Sequence, residues 1–172
     1  MNETKWLRHL LPLPHEIAIE GVVECRPDQV GIRVAEDAGD LESTAATELR
    51  QLFAERTGVE PGEGKKEFTI LLGVADSDRR LDAVDVDIER LQELSTSSQA
   101  YVIQPDGRAR LLLCALDGKG VSYAARTLYQ LLEPVLSPQK VTVPLLRVLD
   151  WPDVEERGLW NFPDPGEWIP WL

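Results

Sequence analysis

The run EFTILLGVA, Glu67 to Ala75, constrains this chain more than any other stretch. It is apolar almost throughout, with none of the alternation that marks a strand facing water on one side. Such a run reads as a strand buried on both faces, so the chain has to build a layered sheet around it.

The remaining elements are read around that strand. EIAIEGVVEC, Glu16 to Cys25, and QVGIRVA, Gln29 to Ala35, are rich in β-branched residues and separated by the turn residues RPD. Both are predicted strands. DLESTAATELRQLFAERTG places Leu41, Ala45, Leu49, Leu52 and Phe53 at helical spacing on one buried stripe. Asp40 is expected to cap this helix, Glu42 to favour the positive end of its dipole, and Gly58 to take the left-handed position after its last turn. From Asp76 to Glu93 the chain turns acidic, with a short helix expected around Ile88, Leu91 and Leu94.

QAYVIQPDGRARLLLCAL reads as a hairpin turning on Pro105 to Gly107. In DGKGVSYAARTLYQLLEP the residues Val121, Ala124, Ala125, Leu128, Leu131 and Leu132 define a second amphipathic helix, capped by Asp117 and stopped before Pro134. KVTVPLLRVLD, Lys140 to Asp150, is a last strand, where Pro144 favours an edge position or a bulge. The order β-β-α-β-(short α)-β-β-α-β predicts an α/β fold of α+β type. It comprises a mixed sheet of about five to seven strands with two main helices packed on one face.

A chain of 172 residues is long enough for one domain with its own core, here residues 1–150. Its 43% hydrophobic and 28% charged residues are ordinary for a soluble globular protein. The formal net charge of −12 argues against a nucleic-acid backbone or an anionic membrane as partner. The opening MNETKWLRHLLPLPHE has one apolar patch broken by Pro12 and Pro14, too short for a signal-peptide core or a membrane span. A cytoplasmic location is expected if Met1 is the native start, and a secreted or periplasmic one if a leader was removed.

Residues with chemical potential have bland readings. Cys25 and Cys114 sit in strand-like runs and read as buried free thiols, with a disulfide left open. His9 and His15 lack any metal-ligand spacing and read as surface or turn histidines. Asp76, Asp78, Asp82, Asp85 and Asp87 read as a solvated loop; the calcium alternative lacks the glycine and terminal glutamate of an EF-hand. DGKG is a tight turn and cap rather than a phosphate cradle, and Ser43 and Ser122 have no partner pattern for nucleophilic catalysis. No catalytic residue, cofactor or metal is assigned.

Three segments of the second half, taken together, resemble a known family. In the hairpin these residues are Tyr101, Asp106 and Gly107; in the helix they are Gly120, Tyr123, Thr127, Leu128, Gln130, Leu131 and Leu132. In DWPDVEERG they are Asp150, Trp151, Pro152, Arg157 and Gly158, and LPLPHEIAIEG looks like the family's opening. The combination resembles the non-catalytic, zincin-like α/β domain that precedes the TIM barrel of glycoside hydrolase family 20, the β-N-acetylhexosaminidases. Related domains precede the barrels of hyaluronidase-like O-GlcNAcases and α-glucuronidases.

The resemblance implies that residues 151–172 are a linker and the start of a TIM barrel, with RGLWNF as its first strand. Arg157 would bind substrate hydroxyls, and only within a complete barrel. The residues after Gly158, LWNFPDPGEW, lack the arginine of the hexosaminidase "D..R" pattern, a departure that bears on which sugar is bound. Glycoside cleavage needs two carboxyl groups held across the sugar, and none of the 30 acidic residues lies in such a context.

The expected function is therefore a non-catalytic accessory domain bracing the catalytic barrel of the same parent chain, whose substrate is a carbohydrate. Trp151, Trp160, Trp168 and Trp171, four of the five tryptophans, lie in the tail as surfaces to be covered by further polypeptide. The alternative is a free-standing carbohydrate-binding or protein-interaction module using Trp160, Trp168 and Trp171.

Overall fold

The computed structural model describes residues 4–64 and 66–156. After one helical turn, α1 (Thr4–Leu7), come β1 (Glu16–Cys25), β2 (Val30–Val34), α2 (Asp40–Thr57) and β3 (Phe68–Val74). The acidic segment holds a small ribbon, β4 (Arg80–Leu81) with β5 (Val84–Asp85), and the single turn α3 (Glu89–Gln92). Then come β6 (Tyr101–Asp106), β7 (Arg110–Ala115), α4 (Gly118–Leu132) and β8 (Val141–Asp150). Six strands form one mixed sheet in the order β1-β8-β6-β7-β3-β2.

The topology explains why both long helices share a face. Strands β2, β3 and β7 run parallel, and β8, two antiparallel steps from β7, points the same way. The crossovers β2–α2–β3 and β7–α4–β8 thus step across the sheet in the same direction. The right-handedness of such units puts both helices on the same side. There Leu49, Leu52 and Phe53 of α2 and Val121, Leu128 and Leu131 of α4 close over Ile32, Ile70, Leu113 and Val148 of the sheet.

The second face of the sheet carries its own cover. Leu81, Val86, Ile88 and Leu91 pack on Leu71, Val102, Leu112 and Cys114, so β3 is buried on both sides, as its composition demands. The solvated-loop reading of this acidic segment holds for its five aspartates, all exposed, and fails for its apolar residues. Helical spacing around Ile88 produces only the one turn of α3, and Leu94 is partly buried at the margin of this second core.

Other expectations need correction. The N-cap of α2 is Gly39, with Asp40 already helical and no side chain capping the turn. Leu41, expected on the buried stripe, is 46% exposed, whereas Glu42 is buried at 6%. The cause lies in α4: a Cβ added at Gly118 would meet Glu42 Oε2 at 2.9 Å. This carboxylate therefore sits against the first turns of two helices, where two dipoles favour an anion.

The hairpin turns later than expected. Pro105 and Asp106 stay in β6, paired with Leu111 and Arg110, and the loop is formed by residues 107–109, with Gly107 at φ +62°. Pro105 is tolerated because β6 meets β8 only over Tyr101–Ile103, leaving its far half without a second neighbour. Pro144 obeys the same logic: β8 is an internal strand, but Pro144 pairs with Val22 of β1 beyond the reach of β6. The irregularity in this pair lies in β1, between Ile19 and Gly21. Asp117 does cap α4, accepting from the Lys119 amide at 2.9 Å, and Gly58 is left-handed at φ +76°.

Candidate interdomain anchor

Sheet register brings distant residues together where β8 ends. Tyr101, first in β6, pairs with Asp150, last in β8. Strand β1 starts opposite Leu149, which delivers His15 to the side of Asp150. Helix α4 lies over β6 and sets Thr127 on Tyr101. Glycine is required for this approach, because a Cβ at Gly120 would come within 2.3 Å of the Ala100 carbonyl oxygen.

These residues form one hydrogen-bonded chain. Tyr101 donates its hydroxyl to Asp150 Oδ2 at 2.9 Å, and the Thr127 hydroxyl lies 2.6 Å from the Tyr101 oxygen. Since the phenol has a single proton, Thr127 is the donor in that second bond. The His15 amide donates to Asp150 Oδ1 at 3.1 Å, and His15 Nδ1 stands 2.8 Å from the same oxygen. On its other side His15 Nε2 is 3.2 Å from Asp153 Oδ1. Asp150 holds the imidazole proton, and Asp153 adds to it, so the His15 pKa is raised although partial burial works against this. Burial, then the Asp150 charge, drives the Tyr101 phenol far above its usual range.

The segment after β8 is pinned on this cluster. The Trp151 ring stacks on His15 with centroids 4.1 Å apart and planes 11° from parallel. The Arg90 guanidinium lies over the same ring, 5.8 Å from its centroid, and bonds Glu16 at 2.5 Å. The imidazole thus occupies one face of the Trp151 ring. Thr96 then donates to the Pro152 carbonyl at 3.2 Å and Gln99 to the Glu155 carbonyl at 2.8 Å.

Chemically, this arrangement holds a proton and a direction. An imidazole between two carboxylates can relay a proton, but the two hydroxyls of the cluster, Tyr101 and Thr127, are buried and engaged with Asp150 and with each other. The adjoining groove, about 260 Å³, is lined by Glu16, Asp87, Arg90, Gln104 and Arg147. It falls below the usual size of a ligand pocket, and Arg90 and Arg147 are already paired with Glu16 and Glu20. Among the described residues no group of three or more His, Cys, Asp or Glu side chains is placed to share a metal ion. No helix among them is long and apolar enough to cross a membrane.

Of the residues singled out from sequence, Tyr101, Thr127, Asp150, Trp151 and Pro152 meet here. Asp106 and Gly107 lie at the other end of the hairpin. Arg157, together with Trp160, Trp168 and Trp171, lies outside the described residues. His15, read as a surface or turn histidine, is an integral member; its place just before a strand was the available signal. His9 accepts from Arg8 Nε at 3.1 Å, Ser122 donates to the Gly118 carbonyl within α4, and Ser43 is exposed on α2. Cys25 and Cys114 are buried free thiols, pushed up by burial to about 11 and about 12.

Comparison with known proteins adds a consistent set of findings. The family model described as Glycosyl hydrolase family 20, domain 2 matches residues 8–151. Among solved structures the chain is similar to Flavobacterium johnsoniae chitobiase, with a TM-score of 0.61 and 18% identity, covering 92% of this chain and 23% of that one. It is similar also to Streptomyces plicatus N-acetyl-beta-hexosaminidase, with a TM-score of 0.58 and 19% identity over 86% of this chain and 27% of that one. A Vibrio harveyi GH20 exo beta-N-acetylglucosaminidase gives 0.55 and 16% identity, over 86% and 19%. At these identities the likeness is one of fold, and the chain spans at most 27% of these three proteins. No curated protein matches it.

Proposed function

The chain belongs to the Glycosyl hydrolase family 20, domain 2 family, and from that premise we propose that it is the non-catalytic accessory domain of a glycoside hydrolase. On this reading residues 1–150 brace a catalytic TIM barrel that begins within 151–172. Arg157 would then bind substrate hydroxyls in the completed barrel, and the substrate of the parent protein is a carbohydrate.

One observation carries the proposal. Tyr101 of the hairpin, Thr127 of the helix and Asp150 of the final strand, each among the family-like residues, meet in the anchor, beside which Thr96 and Gln99 hold the chain as it leaves the domain. A cluster that positions backbone carbonyls at Pro152 and Glu155 rather than a substrate is suited to transmitting rigidity to the polypeptide beyond it.

The test compares the 172-residue chain with the longer parent protein on aryl glycosides. The parent hydrolyses them and residues 1–172 do not; removing residues 1–150 from the parent lowers its thermal midpoint. Hydrolysis by residues 1–172, abolished by a single Asp or Glu substitution, would make the domain itself the enzyme and end this reading.

A further inference from the structure

A neutral imidazole has one N–H to donate, yet both nitrogens of His15 face carboxylates. Nδ1 stands 2.8 Å from Asp150 Oδ1, and Nε2 stands 3.2 Å from Asp153 Oδ1. Both contacts are hydrogen bonds only while the ring carries two protons. With one proton, a lone pair is turned on one of the two carboxylates, and that contact becomes repulsive.

The surroundings decide which contact gives way. The Asp150 side chain is 16% exposed and is held by the β6–β8 register, the Tyr101 hydroxyl and the His15 amide. The Asp153 side chain is 86% exposed and turns into water at little cost. The single proton therefore stays on Nδ1, toward Asp150.

The charged groups around the ring come from several elements. Asp150 ends β8 and Asp153 follows it, and together they raise the His15 pKa against the effect of burial. From β6 comes Tyr101, whose phenol is kept protonated by burial and by Asp150. From α3, Arg90 lies over the Trp151 ring on which His15 stacks, and its charge is met by Glu16 of β1. Helix α4 contributes Thr127, which is neutral and reaches the cluster through Tyr101. Of the side-chain types gathered here, imidazole alone ordinarily changes charge near neutral pH.

We propose that the His15–Asp153 contact is a proton-operated catch on the chain's exit: the imidazolium holds Asp153, and the neutral ring keeps Asp150 and lets Asp153 go. The catch is closed at low pH and opens as pH rises through the raised His15 value. Thr96 and Gln99 hold the Pro152 and Glu155 carbonyls through uncharged groups at either pH. Release is thus confined to Asp153 and Val154, between two fixed points. An exposed pair of this kind changes an equilibrium about two- to fivefold, so the catch grades the stiffness of the exit and does not detach it. Every residue involved lies within 15–155, so it operates whether or not the parent protein is a glycosidase.

NMR of the 172-residue chain tests it, from about pH 5 to well above the His15 value. Long-range proton–nitrogen spectra of the imidazoles resolve His15 from His9. His15 should lose the proton on Nε2 and keep the one on Nδ1. Through the same titration the proton–nitrogen NOE of the Asp153 and Val154 amides should fall, while that of Leu149 within β8 stays constant. Asp153→Asn changes an exposed side chain whose carboxamide accepts from the imidazolium and donates to the unprotonated Nε2. In that variant the Val154 response should vanish, and the proton affinity of His15 should drop about two- to fivefold. Asp153 and Val154 amides that ignore the His15 titration overturn the proposal. So does a neutral His15 with its proton on Nε2, which would keep Asp153 and drop Asp150. A response that survives in Asp153→Asn would assign it to another group and overturn the proposal as well.

Discussion

A histidine lodged between two carboxylates binds its proton more tightly in the folded protein than in the unfolded chain. For His15 the carboxylates are Asp150 and Asp153, and the raised pKa gives the sign of the linkage. Its stabilising contribution is complete below the unfolded value of about 6.5 and disappears as pH rises through the raised folded value. Urea midpoints measured across that interval should fall with pH, and His15→Gln should flatten the fall. An unchanged slope in the variant would show that another group is responsible. Tyr101→Phe removes the phenol linking Thr127 to Asp150 and leaves both with one partner fewer inside the anchor. A loss of about 1–3 kcal/mol is expected in the denaturation free energy. The family-like residues of this cluster were legible in the sequence, but their mutual contact was not. His15 and Asp150 are 135 positions apart, and only the β1–β8 register joins them.

At the scale of elements, α4 is held where it is by the absence of a side chain. Alanine favours a helix over glycine by about 1 kcal/mol, so at an exposed site Gly120→Ala would stabilise. Here the added methyl would lie 2.3 Å from the Ala100 carbonyl oxygen and 2.7 Å from the Ala115 Cβ, and the backbone leading into β6 cannot yield cheaply. Overpacking wins, and a net loss of about 1–3 kcal/mol is expected in thermal or urea denaturation; stabilisation would mean that α4 can lift from the sheet. The long elements were readable because their apolar spacing and caps agree, as with Asp117 and Gly58 in their expected roles. The acidic segment was harder. In Val84-Asp85-Val86-Asp87-Ile88 the aspartates set the apparent character, while the alternation buries Val86 and Ile88 on the second face of the sheet. The shift of the α2 stripe from Leu41 to Glu42 was invisible for another reason, since its cause is the start of α4, far later in the sequence.

For the whole molecule, charge decides how the fold responds to its surroundings. The chain carries 30 acidic and 18 basic side chains. Many of the cations are already committed to short exposed pairs, such as Arg90–Glu16, Arg147–Glu20 and Lys140–Glu24. Exposed pairs of this kind contribute about 0–1 kcal/mol each and involve partners in contact. The surplus of twelve negative charges (30 acidic less 18 basic) acts over longer distances, where counter-ions intervene. Screening at about 0.15 M salt, with a Debye length of about 8 Å, therefore removes more repulsion than attraction. The denaturation midpoint should rise between low and physiological ionic strength, with sodium chloride and sodium fluoride acting alike. A fall would mean that the paired glutamates on β1 outweigh the general repulsion.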